Sequence, residues 1–244
     1  MRHLITTDDL SDAEIASVFK LAELYLQNKD SKLLVGKSLI NLFFEESTRT
    51  RSSFEIAAKN LGAEVININV ANSALKKGET EVDTIKTLTS MHPSFITIRH
   101  YASGAVQNLM QHSNKAVVIN SGDGSHAHPT QAFLDSFTIM RSKGRIAGLK
   151  VAICGDIINS RVARSNIRLL TKLGAEVRIV GPETLLPKYI KDVARYINLS
   201  EGVKGVDVII TLRLQRERMT SCFVPSAAEY YRFYGITREV VAKA

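Results

Sequence analysis

The sequence predicts an α/β protein of two domains, each built on a central parallel sheet flanked by helices. Two observations carry this. The apolar run Leu39-Ile40-Asn41-Leu42-Phe43-Phe44 is followed by a polar loop, by Phe54, Ala57, Ala58 and Leu61 at helical spacing, and by Gly62 with a second strand pattern, Ala63 to Ile68. The same order returns from Leu149, and Leu173-Gly174-Ala175-Glu176-Val177 echoes Leu61-Gly62-Ala63-Glu64-Val65. A strand carried to the next strand through a helix requires parallel pairing and a right-handed crossover. Glycine after a helix is common, so the echo weighs less than the chemistry the two units share, Ser and Arg in the loop between strand and helix.

In chain order, Ser11 and Glu14 stand at capping-box spacing and open a helix through Phe19, Leu21, Ala22 and Leu26. The strand at Leu39 to Phe44 and its helix follow. Asn72 to Thr80 is polar and glycine-containing, the pattern of a mobile loop. Ser94 to Ile98 reads as a strand ending in Arg99-His100, and Ala116 to Ile119 as one ending in Asn120-Ser121-Gly122-Asp123-Gly124. His128-Pro129-Thr130-Gln131 opens a helix, since proline suits a first turn. Leu149 to Cys154 is the next strand, Gly155 to Ser160 its loop, Arg161 to Leu173 its helix, and Val206 to Thr211 a final strand running into Arg213, Gln215, Arg216 and Arg218. The expected organisation is a first domain at 1–129, a linking helix and loop at 130–147, and a second domain at 148–244.

The 244 residues, 45% hydrophobic, suffice for one large or two modest cores. A net charge of +8 suggests anionic partners. The basic residues are dispersed and Trp is absent, against the basic patch with interleaved aromatics typical of nucleic-acid binding. Small anions fit better. Cys154 and Cys222 are far apart and form no metal or redox spacing, which suits a reducing cytosol. Met1-Arg2-His3-Leu4 leads into acidic residues rather than a signal-peptide core, and no apolar run approaches the roughly 20 residues of a membrane span. The expectation is a soluble cytoplasmic protein.

The stretch Ser47-Thr48-Arg49-Thr50-Arg51 sets hydroxyls and guanidinium groups at a helix start, where backbone N–H groups and the dipole favour an anion. The competing reading is a plain cap by Ser47 or Thr48 with the arginines in solvent; five consecutive polar residues favour a phosphate cradle. Arg99 at a strand end and His128 before its helix are further candidate ligand groups, with Gln131 beside them. His126 and His128 lack a well-spaced third metal ligand, and Gly122 and Gly124 lack the third glycine of a dinucleotide fingerprint. Arg213, Arg216 and Arg218 read either as solvated charges or as carboxylate partners. No Ser–His–Asp order, paired catalytic carboxylates or redox cysteine stands out, so the site reads as one that binds anions and stabilises charge.

Six motifs in order then become recognisable: Ser47-Thr48-Arg49-Thr50-Arg51, Lys77-Gly78-Glu79-Thr80, Arg99-His100, His128-Pro129-Thr130-Gln131, Ser160-Arg161-Val162-Ala163-Arg164-Ser165 and Arg213-Leu214-Gln215-Arg216-Glu217-Arg218. Across the whole chain they resemble aspartate carbamoyltransferase catalytic chains. The first and fourth are shared with ornithine carbamoyltransferases; the second and last point to aspartate. The resemblance implies a first domain for carbamoyl phosphate and a second for L-aspartate, with transfer of the carbamoyl group to the aspartate amine in pyrimidine biosynthesis. It implies Ser47, Thr48, Arg49 and Thr50 as the phosphate cradle with Arg99. Thr50, Arg99 and His128 would polarise the carbamoyl oxygen, Gln131 would hold the carbamoyl nitrogen, and Arg161, Arg213 and Gln215 would clamp the aspartate carboxylates. Ser73 and Lys77 match residues that reach a neighbouring subunit's site, so the active unit would be a homotrimer, with regulatory chains or a dihydroorotase as further family partners. No metal or cofactor is implied. Family members continue past the equivalent of Ala244 with a His-Pro-x-Pro-x-x-Arg loop and a final helix. Ornithine as acceptor, and a truncated, non-catalytic binding or scaffold subunit, stand as the alternatives.

Overall fold

Apolar strand runs and amphipathic helices alternate along the chain, so each helix returns the backbone to the edge where the next parallel strand must start. The computed structural model describes residues 3–28, 32–69, 78–191, 193–215 and 226–244. The chain divides into two compact units, Met1–Thr130 and Gln131–Ala244.

In the first unit, α1 (Asp12–Gln27) precedes β1 (Ser38–Phe43), α2 (Thr48–Asn60), β2 (Glu64–Asn69), α3 (Glu81–Ser90), β3 (Phe95–His100), α4 (Ala105–Met110) and β4 (Val117–Asp123). The capping box forms as expected, with the Ser11 hydroxyl and the Glu14 carboxylate each accepting from the other's backbone N–H. The four strands are parallel in the order β2-β1-β3-β4. Alternation along β1 layers the unit. Ile40 and Leu42 join a core with Ile85, Leu88, Ile96, Ile98, Val106 and Leu109, while Leu39 packs with Ala58, Ala63 and Phe54 on the α2 side.

Asn41 lies on the same side as Leu39 and is fully buried. A buried amide is costly unless it is hydrogen-bonded. The Thr97 hydroxyl donates to Asn41 Oδ1 (2.5 Å), Asn41 Nδ2 donates to Asn67 Oδ1 (2.8 Å), and Asn67 Nδ2 donates to Glu55 Oε2 (2.9 Å). Thr97, Asn41 and Asn67 occupy one register row, so the line crosses β3, β1 and β2 and ends on α2. It pins the helix that carries the Ser-Thr-Arg-Thr motif.

β4 runs further than its apolar run, through Asn120 to Asp123, because those polar side chains have internal partners. Asn120 Nδ2 donates to Ile5 O, and the Asp123 carboxylate accepts from Gly104 N–H. Along the outer edge of β4, Leu4 N–H donates to Val118 O and Asn120 N–H donates to Leu4 O, which covers exposed strand groups.

α5 (Pro129–Lys143) spans the division between the units and starts at the proline, as its sequence requires. The second unit continues with β5 (Lys150–Cys154), α6 (Arg161–Lys172), β6 (Glu176–Val180), β7 (Ala194–Tyr196), α7 (Leu199–Gly202), β8 (Val208–Thr211), α8 (Ala227–Tyr234) and α9 (Arg238–Val241). Its strands are again parallel, in the order β7-β6-β5-β8. The three residues of β7 include no apolar run, which is why the sequence shows three strands where the structure has four. Ala152, Cys154, Val180, Leu199, Val203 and Val206 form the core on the α7 side.

Burial pushes the Cys154 thiol up to about 12, and burial followed by the Asp156 charge does the same to the Tyr230 hydroxyl. In the unfolded chain these groups lose their protons near their ordinary values of 9.0 and 10.0. The folded state therefore holds more protons at alkaline pH, and stability that is complete below pH 9 is lost progressively towards 12. Circular-dichroism melts are expected to show a midpoint falling above pH 9, with a shallower fall in Tyr230→Phe and Cys154→Ala. A midpoint flat to pH 11 would contradict this. Native Cys154 should also resist thiol reagents that label the unfolded chain readily.

Candidate active site

Strand order reverses between β1 and β3 in the first unit and between β5 and β8 in the second. At such a point the connections leave in opposite directions and open a crevice beyond the carboxyl ends of the strands. The Ser- and Arg-containing loops lie at both.

In the first unit, Ser47 holds the N-cap position of α2 with extended backbone, yet its side chain makes no capping bond. Ser11, Thr80, Ser160, Asn198, Ser226 and Thr237 all accept a backbone N–H at their own helix starts. The plain-cap reading of Ser47 therefore fails. The bond from Arg51 N–H to Ser47 O begins the helical ladder, which leaves the N–H groups of Thr48, Arg49 and Thr50 ahead of it at the positive end of the dipole. Thr48 and Arg49 are exposed, and Ser47 and Thr50 are half-buried.

Arg99 of β3 sits in register with Phe43, and Phe44 N–H donates to its carbonyl. Its Nη1 donates to Thr50 Oγ1 (3.4 Å) and to the Ser121 carbonyl (3.2 Å). Ser121 lies in a bulge, where Ile98 pairs with Asn120 but His100 with Asp123, and the extra residue re-aims the β4 backbone. The Glu45 carboxylate approaches Arg99 Nε at 2.7 Å, an ion pair by proximity rather than an aligned hydrogen bond. Contacts to β4, α2 and the β1 loop thus hold one guanidinium at the mouth of the α2 N-terminus.

His128 is buried immediately before α5, its Nδ1 3.5 Å from Thr130 Oγ1. His126 is held by Asp123 at 2.8 Å, so this second histidine belongs to the framework of the loop. Gly124 has φ +49°, and a Cβ there would lie 2.4 Å from Ser103 N, so the loop tolerates no side chain. Among the described residues, no three His, Cys, Asp or Glu side chains cluster as metal ligands.

In the second unit, Gly155 follows β5 with φ +125°, and a Cβ there would meet the Leu212 carbonyl at 2.7 Å. Leu212 N–H in turn donates to Cys154 O at 2.8 Å, so the ends of β5 and β8 are drawn together. Asp156, fully buried, accepts from Gln215 N–H (3.0 Å) and from Asn159 Nδ2 (2.9 Å). Arg161, the first residue of α6, is buried, and Ser160 caps that helix through Ala163 N–H. Gln215 is half-buried and Arg213 exposed. The structure thus joins Gln215 to the loop that leads into Arg161.

Gln131, in the first turn of α5, donates from Nε2 to Asp135 Oδ1 (2.9 Å), and Asn166 Nδ2 of α6 donates to the other oxygen (2.7 Å). Burial raises the Asp135 carboxyl above its ordinary value, and the two amide donors pull it back only in part. Sequence reasoning overlooks Glu45, Asp135, Asp156 and Asn166. The spacing of four between Gln131 and Asp135 is a usable helix signal; nothing local announces the approach of Asn166. Ser73, Lys77, Arg216 and Arg218 lie outside the described residues.

Comparison with known proteins agrees with this geometry. Residues 2–141 match the family model for the aspartate/ornithine carbamoyltransferase carbamoyl-P binding domain, and residues 147–244 match that for the Asp/Orn binding domain. The chain is 52% identical over 252 residues to the aspartate carbamoyltransferase catalytic subunit of Bradyrhizobium diazoefficiens, covering 100% of this chain and 79% of that protein. The catalytic subunit from Rhodospirillum rubrum is 51% identical over 250 residues, with 100% and 78% covered. Aspartate transcarbamoylase from Trypanosoma cruzi, solved with carbamoyl phosphate and aspartate, superimposes with a TM-score of 0.87 at 29% identity, covering 100% of this chain and 82% of that one. The M. jannaschii catalytic subunit gives 0.81 at 38% identity, with 96% and 79% covered. Two parallel sheets, and family models that cover both, lead to one assignment: the chain belongs to the aspartate/ornithine carbamoyltransferase family.

Proposed function

We propose that the protein transfers the carbamoyl group of carbamoyl phosphate to the amine of L-aspartate, giving N-carbamoyl-L-aspartate and phosphate, an early step of pyrimidine synthesis. The observation that carries this is the uncapped α2 start, whose orphan N–H groups sit beside the braced Arg99. The relatives named above support aspartate as the acceptor.

In this reading the domain at 1–129 binds carbamoyl phosphate, 130–147 links, and 148–244 binds aspartate. Ser47, Thr48, Arg49 and Thr50 cradle the phosphate, and Arg49 neutralises charge as phosphate departs. Thr50, Arg99 and His128 act on the carbamoyl oxygen as it gains charge, an oxyanion-type stabilisation. Gln131 holds the carbamoyl nitrogen. Arg161, Arg213 and Gln215 bind the aspartate carboxylates, where a planar guanidinium offers paired donors. The uncharged amine attacks the carbonyl carbon directly, and acceleration comes from holding two anions in place as well as from charge stabilisation. The active unit is a cytoplasmic homotrimer in which Ser73 and Lys77 complete a neighbour's site. No described helix is long and apolar enough to cross a membrane.

Purified protein should form carbamoyl-aspartate from carbamoyl phosphate and aspartate and no citrulline with ornithine; citrulline, or no product from either acceptor, overturns the assignment. Arg49→Ala should weaken carbamoyl phosphate binding in calorimetry at least tenfold, in line with roughly 1.5–3 kcal/mol for hydrogen bonds to charged groups. Unchanged affinity would remove Arg49 from the cradle. Light scattering should report a trimer, and mixing inactive Lys77→Ala and Arg49→Ala chains under exchange should restore activity. A mixture that stays inactive would argue against shared sites.

A further inference from the structure

Asp135 accepts one hydrogen bond from Gln131 Nε2 on its own helix and another from Asn166 Nδ2 on α6. Asn166 is fully buried and also donates to the Val162 carbonyl at 3.2 Å, so it is fixed to the first turn and a half of α6. An ionised carboxylate has only acceptors to offer, and both of its neighbours meet it with amide N–H groups. The orientation of the Gln131 amide is thereby determined. Its nitrogen is committed to Asp135, and its oxygen is the end left to meet a ligand.

We propose that Asp135 is a positioning residue for the donor substrate: by engaging Gln131 Nε2 it presents Gln131 Oε1 as the acceptor for the substrate's carbamoyl N–H. This rests on the reading of Gln131 as a carbamoyl contact. A carbamoyl NH2 group offers only donors in its plane, so a Gln131 amide turned the other way would set donor against donor. With no carboxylate at 135, the amide would sample both orientations, one of them repulsive. Asp135 also ties Gln131 to α6, the helix that begins with Arg161.

The test is a double-mutant cycle between Asp135→Asn and Gln131→Ala, read as kcat/KM for carbamoyl phosphate and as its calorimetric affinity, with a thermal midpoint for each protein. An asparagine at 135 keeps the shape and can donate to Gln131 Oε1, so it permits the wrong amide orientation. Asp135→Asn is expected to lower kcat/KM about tenfold, the scale of one hydrogen bond exchanged for a clash, with a near-native midpoint. In the Gln131→Ala background the same change should cost less than about twofold, because the group it positions is gone. Equal losses in both backgrounds, or no loss in the parent, overturn the proposal. If the parent binds carbamoyl phosphate without turnover, the cycle is decided on affinity alone. A parent that neither binds nor turns over carbamoyl phosphate removes the functional reading itself, and this inference falls with it.

Discussion

Neighbouring parallel strands cannot be joined by a tight turn, and that constraint organises the molecule. Each strand must be followed by a return path, here mostly helical, and all carboxyl ends of a sheet collect at one edge. Where the order reverses, at β1/β3 and at β5/β8, the edge opens and a helix N-terminus faces the gap. The candidate sites thus need no dedicated insertions; they occupy the positions that parallel winding leaves vacant. Glycines 124 and 155 stand where backbone must pass so close that no side chain fits.

The basic chain has an acidic interior framework. Asp123, Asp135 and Asp156 each gather amide or imidazole groups around them, and Glu45 lies against Arg99. Their common effect is to fix the orientation of donors on the segments that carry the candidate ligand groups. A carboxylate suits this task because it accepts from several directions and cannot donate in its ionised form. The net charge of +8 is what remains after those acids are set in structural positions, so charge counting alone understates how much acid lies near the candidate ligand groups.

Much of this was legible in the sequence. The apolar runs of β1, β3, β5 and β8 announced strands, and the Ser-Thr-Arg-Thr turn marked a candidate site at a helix start because its chemistry is local. The short β7 escaped notice because Ala194-Arg195-Tyr196 has no apolar run. The polar continuation of β4 escaped because its side chains are satisfied by residues far away in the chain, such as Ile5. Asp156 and Asn166 escaped for the same reason: their roles depend on partners at 215 and 135 that only the fold brings near. Periodicity reports which way a side chain points, whereas hydrogen-bond partners depend on what the topology places opposite.

The line from Thr97 through Asn41 and Asn67 to Glu55 bears on how this sequence can change over generations. All its donors run one way, and the last acceptor is a carboxylate. An apolar residue at 41 alone strands the buried Thr97 hydroxyl, at about 1–3 kcal/mol for a buried group left without a partner, while the exposed Asn67 amide turns to water. Replacing 41, 67 and 97 together by apolar residues of similar size removes donors and acceptors alike and can come close to neutral. The three positions therefore form one unit of inheritance with a valley on every single-step path. A library that varies β1 alone should return Asn41, while one that varies all three positions together should recover apolar solutions.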